Sequence, residues 1–487
     1  MKKQISTILC LSLLAAVMAS CGSEGTEQPV TEEQTTVPAV TEETIPLPEA
    51  DYAGTDIKIL TAAEQWQYLY VTEQTGDAIN DAVYDRNRAV EERYNVKLDY
   101  QVYNGYNAGK EAVRAALTGS VMGGSAEFDL MVGGISYITP YAVENLFADL
   151  YTFDTLKLDQ PWWFSYINEE LDLNGRLYLG SGYYGMLSME NAVVTFFNKQ
   201  VAEDNGIEDI YAIVNNGTWT FDKMVELSKK VVSDLNGDGK YNANDRVGIL
   251  TTNDYLSFFV NSMGYVYTHR DSDGSIFLNE PTEKLIAICE KLNEALISDY
   301  LIDGYDTVEM LGALASADES YEKMMKMFAA NQALFMSHRL AFSTRETMRN
   351  MEKYGIIPCP KYDEQQENYI TGLANDVAAI PGVVADDQMS AVLLEAMQYY
   401  TYDIVRPQYY ESALKRKGTR DDESEKMLDM IFEHTFIDFS YMYLGLIGSE
   451  LYYGITQKNY ASWAESNYKK FQTKIDKIIE TVKEFES

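Results

Sequence analysis

The run Asp234-Leu235-Asn236-Gly237-Asp238-Gly239-Lys240-Tyr241-Asn242-Ala243-Asn244-Asp245 sets oxygen-bearing side chains at alternate positions, the arrangement a hard cation requires. Read as a twelve-residue calcium loop, it places Asp234, Asn236 and Asp238 at positions one, three and five. Lys240 offers its backbone carbonyl at seven, Asn242 acts directly or through water at nine, and Asp245 closes the site at twelve. Gly239 stands at the sharp turn in position six. Asp245 is one methylene shorter than the usual Glu, which shortens the reach of the closing ligand. No paired second loop accompanies this one, so the expected role is a structural calcium clip inside a larger body. An unmetallated Asx-rich turn between a helix and a strand is the alternative.

Nucleophilic catalysis has little to build on. Only His269, His338 and His434 are present, and neither HExxH nor GxSxG nor a phosphate-binding loop occurs. Gly180-Ser181-Gly182-Tyr183-Tyr184-Gly185 formally matches GxGxxG. A dinucleotide site needs those glycines to open a helix after a strand, whereas here an extended run follows and tyrosines crowd the turn. A glycan hydrolase needs only two carboxylates, and 75 acidic residues leave that reading open. Ligand capture is better served. Trp66, Trp162, Trp163, Tyr183 and Tyr184 offer aromatic faces to sugar rings, Glu64, Asn253, Arg339 and Asn375 offer hydrogen bonds to hydroxyls, and Tyr137 is a further ligand-binding candidate. Packing within a lobe is the competing role for each aromatic, above all for Trp162 with Trp163.

The elements that must position these groups alternate between strands and helices. Ile57 to Leu60 is a β-branched run. Asp77 caps a helix to Tyr94 with Ile79, Val83, Val90 and Tyr94 on one face, and Val96 to Tyr100 is extended again. A helix from Ala108 to Leu117 leads to the strand Phe128 to Val132, so the chain opens βαβαβ, which implies a parallel sheet covered by helices. Ligands bind such sheets beyond the carboxyl ends of the strands, which puts residues 61–67 and 133–138 at a rim. A second set follows: a strand from Ala192 to Phe197, a helix capped by Thr220 bearing Phe221, Met224, Val225, Val231, Val232 and Leu235, and a strand from Val247 to Leu250. Ala333 to Met336, Gly355 to Pro358 and Ala378 to Pro381 read as further strands, and Phe471, Ile475, Ile478, Val482 and Phe485 mark a final helix.

Lys2 and Lys3 precede an apolar run from Ile5 to Met18, which is long enough for a cleaved leader but short for a membrane span of about 20 residues. Met18-Ala19-Ser20-Cys21 resembles a bacterial lipobox, so Cys21 is the expected lipidated first residue of the mature chain. Residues 22–50, rich in Glu, Thr, Pro, Gly and Ser without Lys, Arg or aromatics, form an expected disordered tether. The net charge of −36 becomes −38 once the leader is removed. That surface repels phosphate backbones and anionic lipid heads, which excludes nucleic acid and leaves the lipid as the only membrane contact. The 437 residues from Asp51 to Ser487 exceed what one core holds, so two lobes are expected. Cys289 and Cys359 are expected to be free thiols.

In their order, the lipobox, the acidic tether, the βαβαβ opening, Lys157-Leu158-Asp159-Gln160-Pro161-Trp162-Trp163, Gly175-Arg176-Leu177-Tyr178, Phe196-Phe197-Asn198-Lys199 and Gly217-Thr218-Trp219-Thr220-Phe221-Asp222 resemble the extracellular solute-binding proteins of bacterial ABC importers, family 1 and sugar-binding in style. The resemblance covers nearly the whole mature chain. It implies an α/β, two-lobe periplasmic-binding-protein fold of type II style, with an interlobe cleft and hinge. It also implies a monomer that captures an extracellular sugar or oligosaccharide without transforming it and delivers it to permease subunits. The expected division is residues 1–20 as leader and 21–50 as tether, with 51–190 plus about 325–375 in lobe 1 and 191–324 plus about 376–487 in lobe 2. A lipid-anchored glycan hydrolase and a surface adhesin are the other classes weighed; an adhesin does not account for the βαβ pattern.

Overall fold

The protein is represented by a computed structural model. It describes residues 46–62, 69, 71–103, 106–185, 187–272, 274–304, 317–372, 376–416, 419–420, 422–444 and 460–485, less a few side chains. The leader, Cys21 and nearly all of the tether lie outside the described residues, and 47–487 form one compact unit. Among the described residues no helix is long and apolar enough to cross a membrane.

Lobe 1 is built from the βαβαβ opening. Strands β1 (Thr55–Ala62), β2 (Val96–Tyr103) and β3 (Leu130–Gly134) run parallel in the order β3-β1-β2. Asp77 accepts the backbone N–H groups of Ile79 and Asn80 at the head of the helix Ala78–Tyr94, which ends where Asn95 turns left-handed at φ 49°. Burial is complete along β3, as a strand covered on both faces requires.

Lobe 2 carries β4 (Val193–Asn198), β5 (Val247–Thr251), β6 (Leu301–Asp303), β7 (Ala333–Arg339) and β8 (Tyr354–Pro358), in the order β8-β4-β7-β5-β6. β5 is parallel to β6 and β7, and β4 is antiparallel to β7 and β8. Its two faces fill separate cores: Phe197, Ile249, Phe335 and Ile357 pack on one side, and Phe196, Met336 and Ile356 on the other. The chain then returns. β9 (Asp376–Ala379) joins lobe 1 antiparallel to β3 and completes the order β9-β3-β1-β2.

Two expectations are corrected here. Residues 325–375 belong with lobe 2, because β7 hydrogen-bonds between β4 and β5 at the centre of that sheet. Residues from 376 to about 414 belong with lobe 1, because β9 pairs with β3 and the helix Asp387–Tyr400 packs on Ala78–Tyr94. Strand order depends on long-range pairing that local pattern does not encode. The helix capped by Thr220 also stops at Val231, so Leu235 lies in the following loop, 52% exposed, instead of on an apolar helical face.

The C-terminal helix Tyr460–Glu484 touches both lobes. Tyr460, Ala464, Tyr468 and Phe471 enter the lobe 2 core, and Ile475 and Val482 enter the core shared with lobe 1. Cys289 and Cys359 are free and buried.

Candidate functional site

The carboxyl ends of β1 and β3 and the start of β9 form the lobe 1 rim; the ends of β5, β6 and β7 and the approach to β4 form the lobe 2 rim. Short crossings hold the rims together. Gly372, whose Cα packs on Phe258 of lobe 2, is four residues from Asp376 of lobe 1, a reach of at most about 14 Å. Gly185 abuts Asp376 so closely that a Cβ would fall 1.8 Å from its Oδ2, and five residues later Glu190 faces Arg339 and Arg345 of lobe 2.

Some of the buried polar atoms that lack hydrogen bonds of normal geometry lie near these strand ends. On the lobe 1 side, Thr61 Oγ1 at the end of β1 and Tyr137 OH in the first turn of the helix Ile135–Val143 are buried with no hydrogen bond of normal geometry. The Tyr137 phenol lies over Gly133, where a Cβ would come within 2.0 Å of it. On the lobe 2 side, Asn191 Oδ1 and both ring nitrogens of His338 are in the same condition. His338 is fully buried, stacked on Phe342 at 3.9 Å with the tilted ring of Tyr255 also at 3.9 Å, and burial pushes its pKa well below the usual value, so the ring is neutral. Each such orphan costs about 1–3 kcal/mol, and native proteins keep few of them without a use. Burial pushes Glu190 up to about 7 against the opposing charges of Arg339 and Arg345.

The residues picked from sequence divide accordingly. Tyr137 follows the end of β3 in lobe 1 and Arg339 ends β7 in lobe 2, the Arg339 guanidinium lying over Tyr321 at 5.4 Å and Phe342 at 5.9 Å. Asn253 opens the helix after β5 at the lobe 2 rim, and its side chain is not described. Glu64, Trp66 and Asn375 lie outside the described residues. Tyr183 packs against Phe164, Tyr402 and Arg406. Trp162 and Tyr184 are corrected to the lobe 1 interior. The Trp162 and Trp163 indoles donate to the Glu395 carboxylate at 2.7 and 2.8 Å, and Tyr184, 1% exposed, lies against Arg86 with its hydroxyl 3.4 Å from that of Tyr100. Sequence reasoning missed Asn191 and Asp376 as rim residues. Asn191 stands just before a buried apolar strand and Asp376 is the first residue of one, and a polar residue at a strand's start was the available signal.

The loop 234–245 forms a separate cluster. One carboxylate oxygen from each of Asp234, Asp238 and Asp245 lies within 4.8 Å of the others, and Asp245 is fully buried. Asp234 accepts the Gly239 and Gly237 N–H groups, and these, Gly239 foremost, hold its pKa below the usual value. Asp245 accepts from Leu235 N and Asn242 N at 3.0 Å each. Gly237 and Gly239 adopt φ of 77° and 76°. Three converging carboxylates could hold a hard cation such as calcium between them.

The profile of the bacterial extracellular solute-binding proteins matches residues 71–360. The chain belongs to that family. A comparison with the curated protein sequences found no match. Among solved structures, this solute-binding protein is similar to a sugar transporter from Rhizobium etli in an open conformation (12% identity, TM-score 0.57, 88% of this chain and 99% of that one). An ABC substrate-binding protein from Listeria monocytogenes in complex with cycloalternan matches at 14% identity and TM-score 0.52 over 88% of this chain and 99% of that one. UgpB from Mycobacterium tuberculosis in complex with glycerophosphocholine matches at 12% identity and 0.54 over 88% and 98%. At these identities the likeness concerns the fold, a two-lobe α/β binding protein, as the resemblance in the sequence implies.

Proposed function

We propose that this extracellular solute-binding protein captures a carbohydrate in the crevice between the two rims, closes on it and releases it unchanged to an ABC permease. The observation that carries this reading is that Thr61, Tyr137, Asn191 and His338 bury polar atoms without hydrogen bonds of normal geometry near the carboxyl ends of β1, β3 and β7 and the approach to β4. A polyol supplies paired donors and acceptors to such groups and covers the neighbouring rings of Tyr255, Tyr321 and Phe342 with its apolar faces. Arg339 with Glu190, and Asp376, border the crevice. Support also comes from the family and from relatives of the same fold that carry sugars. Capture without chemistry suits His338, whose neutral ring is stacked on Phe342 and, among the described residues, has no hydrogen-bond partner.

In this reading the mature chain is a monomer held to the outer face of the cytoplasmic membrane by acylated Cys21 and its tether, and calcium bound by residues 234–245 clips the helix Phe221–Val231 to β5. Thermal-shift measurements against a panel of sugars and maltodextrins, with product analysis of every sugar that stabilises the protein, test the proposal. Stabilisation with the sugar recovered intact is expected. Cleavage of the bound sugar transfers the protein to the glycan hydrolases, and silence across the panel removes the carbohydrate assignment.

A further inference from the structure

Arg86, in the middle of the helix Ala78–Tyr94, is 1% exposed, and among the described residues no carboxylate stands within salt-bridge distance of it. Burying a guanidinium is costly, and what offsets that cost here is the set of neutral acceptors that surround it. Its acceptors come from distant parts of the chain: Leu69 O at 3.3 Å, Tyr184 O at 3.1 Å and Thr401 Oγ1 at 3.0 Å, with Asn87 Oδ1 at 3.0 Å on Nε. Leu69 follows the end of β1 by seven residues. Tyr184 directly precedes Gly185, whose Cα abuts Asp376 and begins the crossing to Glu190 and Asn191. Thr401 follows the helix Asp387–Tyr400 and also donates back to Met397 O at 2.7 Å. The planar fork of a guanidinium fixes several acceptors at once, which a lysine ammonium does not reproduce.

From this convergence of Leu69, Tyr184 and Thr401 on one buried guanidinium, we infer that Arg86 is a positioning residue for the solute site. It holds Leu69 and the root of the lobe crossing at Tyr184 in one frame. The inference rests on the crevice being the binding site.

Hydrogen exchange on the ligand-free full chain and calorimetry with maltotriose as the probe test it, using R86M, R86K and T401V. R86M strands the acceptors Leu69 O, Tyr184 O, Thr401 Oγ1 and Asn87 Oδ1, so its melting temperature should fall, and the local exchange pattern is what separates positioning from a general loss of stability. Exchange at residues 69–72 and 183–185 should speed up about tenfold, while that of β4 stays unchanged. Maltotriose affinity should fall about tenfold in R86M and R86K, with a smaller loss in T401V. Exchange that rises evenly through both lobes, or affinity that holds when exchange rises locally, overturns the inference. Should the parent bind no maltotriose, the carbohydrate reading suffers and the exchange data still decide the role of Arg86. Should R86M fail to fold, R86K and T401V carry the same comparison.

Discussion

Glu395 accepts the indole N–H of Trp162 at 2.7 Å, and its second oxygen accepts that of Trp163 at 2.8 Å and the Lys157 backbone N–H at 3.1 Å. One carboxylate thus pins the Lys157–Trp163 segment to the helix Asp387–Tyr400 inside lobe 1. E395A strands three donors and should lower stability by about 3–5 kcal/mol; E395Q, which retains one carbonyl acceptor, should lose about 1–3 kcal/mol. Urea unfolding followed by tryptophan fluorescence measures both. A ranking with E395A as stable as the parent would remove the clamp from the account.

Tyr137 offers the opposite behaviour. Its hydroxyl is buried with only poorly aligned bonds to the Gly134 and Ala62 backbones, so Y137F should change stability by less than about 1 kcal/mol. Affinity for the bound sugar should drop about tenfold, the loss of one well-made hydrogen bond. Parallel melting and calorimetry check the split, and equal affinity in Y137F would take the phenol out of the site.

Calcium should raise the melting temperature of the parent and EDTA should reverse the rise, with stabilisation of about 2.7 kcal/mol when calcium stands at a hundred times its Kd. D238N alters an exposed ligand with little packing role and should abolish the response. A parent that melts at the same temperature in calcium and in EDTA would reduce the loop to an Asx turn.

Glu170 lies where lobe 1 meets the C-terminal segment. Burial, then the charge of Asp438, pushes it up to about 7 against the pull of Arg270, which also donates to the Glu170 carbonyl at 3.2 Å. Asp438 is itself buried and accepts from Tyr267, Thr268 and Ser440. The folded pKa exceeds the ordinary carboxyl value of 4.5, so the native state binds the extra proton. The contribution of Glu170 is therefore full below pH about 4.5 and is lost as pH rises through about 7, by about 1–3 kcal/mol. E170Q should flatten the melting-temperature profile over that window and be more stable than the parent at pH 8. Differential scanning calorimetry from pH 4 to 8 gives the comparison, and parallel profiles for the two proteins would refute the assignment.

Element identity was legible where period and caps agreed. Asp77 and Thr220 start helices as read, and the β-branched runs at 57–60 and 247–250 are strands. Which lobe owns 325–375 was not legible, because β7 takes its place between β4 and β5 through pairings about 90 and 140 residues apart. The site was half legible. Tyr137 and Arg339 follow strand ends, a local signal, whereas the engagement of Trp162 by Glu395 spans 233 residues and makes a clamp out of a residue type suited to sugar stacking.

Small-angle X-ray scattering with and without a saturating sugar from the thermal-shift panel tests the central claim most directly, since hinge closure on a ligand makes the particle more compact. The account predicts a smaller radius of gyration with the sugar bound and its return when the sugar is dialysed away intact. An unchanged radius at saturation would contradict capture between two lobes.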